Sequence, residues 1–61
     1  MKAREIKAKI VGRMAYIGID NKEVAVRMGM HIRTWQRRLK NPGDFTVKEL
    51  EKVQKVLKVE L

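Results

Sequence analysis

The chain has 61 residues, 15 of them basic and 7 acidic, for a net charge of +8, and it contains no cysteine. One domain over residues 1–61 is expected, too small to enclose a deep active site, because a chain this short buries only about 60% of its unfolded surface. With no cysteine and His31 as the one histidine, the sequence argues against a disulfide framework, a metal site within one chain and any cofactor.

In chain order, residues 2–17 place Ala3, Ile6, Ile10, Met14 and Ile17 at steps of three and four. This predicts a first helix ending at Gly18. The helix is basic and amphipathic, but a stripe at helical spacing reads as a core face rather than as a membrane-surface peptide. Gly12 falls on its solvent side, where it weakens the helix slightly. The longest apolar run, Met14 to Ile19, is far too short to cross a bilayer and is not placed like a signal-peptide core. A soluble intracellular protein is therefore expected.

The stretch from Asp20 to Leu39, DNKEVAVRMGMHIRTWQRRL, organises the rest of the chain. Asp20 with Glu23 three residues on predicts a capping box and a second helix starting near Asn21. Val24, Ala25 and Met28 form an apolar face before Gly29; Ile32, Trp35 and Leu39 form one after it. The two faces close on each other only if the chain bends at Gly29-Met30-His31, where glycine can take the positive φ that ends a helix. The arrangement is a helix-turn-helix over about residues 20–40, a motif whose second helix lies in the DNA major groove.

That second helix is expected from His31 or Ile32 to about Lys40. Trp35 and Leu39 define its buried direction, and Ile32 lies about 40° from it. Arg33 and Arg37 point nearly the opposite way, with Gln36 and Lys40 on the same outward half. Arg can bond bidentately to guanine O6 and N7, and Gln to adenine N6 and N7. Exposed helix residues are usually polar whatever they do, so the face alone is ambiguous. An aromatic such as Trp35 could stack on unpaired bases, but its spacing with Leu39 assigns it to the core.

Asn41-Pro42-Gly43 ends this helix, because Pro42 disfavours helical geometry at Asn41. Thr46 with Glu49 predicts a second capping box, and Phe45 with Leu50 a hydrophobic staple. Leu50, Val53 and Val56 or Leu57 continue the apolar stripe of a last helix. The alternating tail Lys58-Val59-Glu60-Leu61 fits a helix end, a short strand or an unfolded end.

Charge is unevenly spread. No acidic residue lies between Glu23 and Asp44, where Arg27, Arg33, Arg37, Arg38 and Lys40 give +5. The first 19 residues add +4 through Lys2, Arg4, Lys7, Lys9 and Arg13 against Glu5. A one-sided basic surface attracts a polyanion.

Ala25, Gly29, the apolar residues at 24, 30, 35 and 39, the Asn41-Pro42 stop and the helix from Thr46 to Leu57 together resemble the helix-turn-helix regulators typified by phage Cro proteins and lambda-type repressors. The resemblance covers roughly residues 6 to 59. It implies an all-α fold, a compact bundle of four to five helices of the lambda-repressor-like kind. It also implies a sequence-specific, double-stranded DNA-binding transcriptional regulator from a phage or mobile element, a repressor in the bacterial cytoplasm and nucleoid. By resemblance, Ile32, Arg33, Gln36 and Arg37 would contact bases, Ile32 through a thymine methyl, while Asn21, Lys22, Lys40 and Asn41 would contact phosphates. The family often has Ser or Thr at position 31; His31 is a poorer cap and is expected to reach a phosphate instead. A homodimer on DNA, largely monomeric when free, is expected to pair through the last helix and the tail Val59-Glu60-Leu61. The alternative is a protein-interaction module of the same fold, such as an antirepressor. An enzyme is not expected: the chain has no serine for a Ser-His-Asp set and no glycine-rich phosphate loop.

Overall fold

The computed structural model describes residues 2–61, and Met1 lies outside them. Four α-helices occur, α1 (Ala3–Ile17), α2 (Asn21–Met28), α3 (Ile32–Lys40) and α4 (Val47–Leu57), with a 3₁₀ turn at Pro42–Asp44 and no strand among the described residues. The all-α expectation holds, and each helix falls where its apolar spacing places it. No helix among the described residues is long and apolar enough to cross a membrane.

Local chemistry sets the boundaries. Before α4, the Thr46 hydroxyl accepts the Glu49 N–H at 3.0 Å and the Glu49 carboxylate accepts the Thr46 N–H at 2.9 Å, the reciprocal box expected there. Before α2 only half the expected box forms. Asp20 accepts the Glu23 N–H at 2.8 Å, but the Glu23 carboxylate turns to Arg27 Nε, 3.2 Å away. An ion pair one turn along the helix competes successfully for the side chain that would have closed the box. The Asn41-Pro42-Gly43 stop is more structured than the sequence suggests: Pro42 is buried and opens the 3₁₀ turn.

The core draws on every helix. Ile6, Ile10 and Met14 of α1 meet Val24, Ala25 and Met28 of α2, Trp35 and Leu39 of α3, and Val53 and Leu57 of α4. Phe45 is buried among them, and Leu50, its expected staple partner, packs against the same cluster. The ends of the α1 stripe do not join. Ala3 is exposed and Ile17 is 41% exposed. A helix of 15 residues is about 22 Å long, nearly the full extent of a molecule measuring 25 × 22 × 18 Å, so its ends overhang the core.

The tail narrows the alternatives left open by the sequence. Lys58 takes the left-handed conformation at φ 53°, and the reversal brings the Val59 N–H onto the Gln54 carbonyl at 3.2 Å and the Leu61 N–H onto the Gln54 side-chain oxygen at 3.1 Å. Val59 and Leu61 pack against the core. The tail is a fold-back that follows the α4 C-cap at Lys58 rather than a strand or a loose end, and Val59 and Leu61 stay half-buried, with part of each side chain at the surface.

Candidate nucleic-acid interface

Helices α2 and α3 meet through a turn that the backbone closes by itself. Gly29 sits at φ 69° and ψ 29°; its N–H bonds to the Val26 carbonyl at 3.1 Å, and the Met30 N–H bonds to that of Ala25 at 2.9 Å. A methyl group added at Gly29 would meet only the Lys52 ammonium at 3.7 Å, so backbone conformation rather than space requires glycine. His31 then starts α3. Its Nδ1 accepts the Arg33 N–H at 3.1 Å, so the imidazole caps α3 although histidine is a less favourable cap than Ser or Thr. A capping Nδ1 carries no proton, so the ring offers only Nε2 to a ligand.

Trp35 fixes α3. It is fully buried, its ring centroid lies 5.8 Å from that of Phe45, and its indole N–H donates to Asn21 Oδ1 at 2.9 Å. This rules out a base-stacking platform. The indole bond takes up the oxygen of the half-buried Asn21 and leaves its two amide N–H donors, the groups a phosphate would accept from.

With Trp35 and Leu39 buried, Arg33, Gln36, Arg37 and Lys40 are exposed, and α3 contains no acidic residue. Ile32 is half-buried and packs against the core, as its angle predicts, with only part of its side chain at the surface. Lys22 and Asn41 are exposed. The basic interval is less uniformly available than its +5 suggests. Arg27 pairs with Glu23, and Arg38 lies 3.2 Å from the Glu49 carboxylate. Arg33, Arg37 and Lys40 have no such partner among the described residues. Arg13 is committed as well, donating to the Leu57 carbonyl at the end of α4 at 2.8 Å.

The Arg38–Glu49 pair ties α3 to the start of α4. The Thr46 N–H, helped by the Arg38 guanidinium and only partly opposed by burial, holds the Glu49 carboxyl below the usual glutamate range. No group of three or more His, Cys, Asp or Glu side chains able to hold a metal occurs among the described residues. No protein-family model matches the chain, nor does any curated protein or solved structure.

Proposed function

We propose that the chain is a sequence-specific DNA-binding regulator of the Cro and lambda-repressor type, with α2, the turn at Gly29 and α3 as its helix-turn-helix and α3 in the major groove. One observation carries the reading: α3 buries Trp35 and Leu39 while presenting Arg33, Gln36, Arg37 and Lys40 without an opposing acid. Arg33, Gln36 and Arg37 read base edges, and the exposed part of Ile32 contacts a thymine methyl. Asn21 through its amide N–H, His31 through Nε2, Lys22, Lys40 and Asn41 hold phosphates and set register. The role is that of a repressor occupying an operator in a bacterial cell, of phage or mobile-element kind.

A protein-interaction role for the α3 face is less well supported, because no large exposed apolar side chain lies on α3. Interface anchors are typically aromatic or aliphatic and central. A single α3 reads too few base pairs to be selective in a genome, so the functional unit is a symmetric homodimer with its two recognition helices about 34 Å apart on an approximate palindrome.

Selection of bound duplexes from a random library, followed by titration of the selected site across a salt series, tests the proposal. An enriched, roughly palindromic site bound with strong salt dependence is the expected result. No enrichment, or an affinity indifferent to salt, contradicts it. Sedimentation of the saturated complex counts subunits: one protein per site with one protected half-site removes the dimer.

A further inference from the structure

The start of α1 carries charge of the wrong sign for a helix N-terminus. That end of a helix favours carboxylates and disfavours cations, yet Lys2 precedes α1, and Arg4 and Lys7 stand in its first two turns with only Glu5 against them. Both Arg4 and Lys7 are exposed, and the ion pairs among the described residues lie elsewhere. Local stability does not account for these cations.

Tertiary packing gives them company. Helix α1 packs on the 3₁₀ turn, so that Arg4 and Lys7 form one side of an open cleft of about 520 Å³ whose other side includes Lys40, Asn41 and Asp44. Three cations share this cleft with one carboxylate. Lys40 belongs to two surfaces, since it borders the cleft and lies within about 20° of Arg33 around α3. A recognition helix puts its N-terminal residues on base edges, which leaves Lys40 and Asn41, at the C-terminal end of α3, for the phosphates.

We propose that this cleft seats a phosphodiester of duplex DNA, with Arg4 and Lys7 joining Lys40 on its oxygens, so that the interface runs from α3 onto the first turns of α1. The inference rests on the DNA-binding reading and adds to it two residues outside the helix-turn-helix. The contacts are to backbone, so they strengthen binding to every sequence alike.

The test compares the full chain with an Arg4→Gln/Lys7→Gln double variant and with Asp44→Asn, by fluorescence anisotropy on a selected and a scrambled duplex over a salt series. The double variant should bind both duplexes at least several-fold more weakly at an unchanged ratio. The magnitude of its slope of log K against log salt should fall by up to about 0.9, the contribution of the one phosphate seated there. Its thermal midpoint should be unchanged or higher, because the cations removed oppose the helix dipole. Asp44→Asn should bind both duplexes more tightly. Wild-type affinity and slope in the double variant overturn the inference while leaving the DNA-binding reading intact; absence of any duplex binding by the wild-type chain overturns both. Should the double variant lose helicity, Asp44→Asn decides, and no gain in affinity there counts against the cleft.

Discussion

Replacing Trp35 with alanine removes the side chain on which the orientation of α3 depends. The indole is fully buried, packs beside Phe45 and donates to Asn21. Truncating a buried Trp to Ala costs about 3–5 kcal/mol. A chain of this length has a total stability of roughly 3–9 kcal/mol, at about 0.05–0.15 per residue, so Trp35→Ala should stand at or near the threshold of unfolding at 25 °C. The orphaned Asn21 oxygen adds little, because that residue is half-buried and water can reach it. Trp35→Phe keeps a ring beside Phe45 and loses the N–H bond with part of the volume, for a cost of about 1–2 kcal/mol. Both substitutions remove the only tryptophan, so urea unfolding is followed by far-ultraviolet circular dichroism. A midpoint order of wild type, then Phe, then Ala is predicted. If Trp35→Ala unfolded at the wild-type midpoint and lost only DNA affinity, the residue would be a surface platform and the placement of α3 would be wrong.

Acid should expose the Glu49 contribution. Its folded-state carboxyl is held below the usual range, so the unfolded chain takes up the proton first. The stabilisation is fully present above the ordinary glutamate value and is lost as pH falls through the folded one; Glu49→Gln should show a shallower acid decline in thermal midpoint, and equal declines would contradict the shift. Gly12 lies inside α1 with nothing within 4 Å of an added methyl, so Gly12→Ala should stabilise by about 0.5–1 kcal/mol and raise the midpoint by a few degrees. Lys58 holds a left-handed conformation that costs a non-glycine residue about 1 kcal/mol. Lys58→Gly should therefore raise the urea midpoint, less the extra entropy of a glycine in the unfolded chain, and a fall would mean that the fold-back does not need this conformation.

The sequence discloses what depends on neighbours along the chain. Apolar spacing locates all four helices, the Thr46 and Glu49 pair marks the start of α4, and Gly29 marks the turn, because capping and left-handed geometry are local effects with local signatures. The phase of Trp35 and Leu39 likewise foretells the exposure of Arg33, Gln36 and Arg37. What stays hidden is pairing between elements. Arg38 with Glu49, Trp35 with Asn21 and Arg13 with the Leu57 carbonyl are separated by 11, 14 and 44 residues, and no helical periodicity brings such partners into register. The ion pairs of Arg27 and Arg38 and the Trp35 bond to Asn21 are not foreseen. His31 is missed as a cap because imidazole is a less common acceptor there than a hydroxyl. The tail is missed because a left-handed lysine, unlike glycine, leaves no trace in the sequence pattern.

One paired measurement tests the proposed division between base-reading and phosphate-contacting residues on α3. Arg37→Ala and Lys40→Ala are titrated against the selected duplex and a scrambled one at the same salt concentration. Arg37→Ala should lose about 1 to 3 kcal/mol on the selected duplex and little on the scrambled one, relaxing the base preference at one position. Lys40→Ala should weaken both by the same factor and shrink the salt slope by about 1. Equal losses on the two duplexes for both variants would contradict the assignment of α3 as the reading helix.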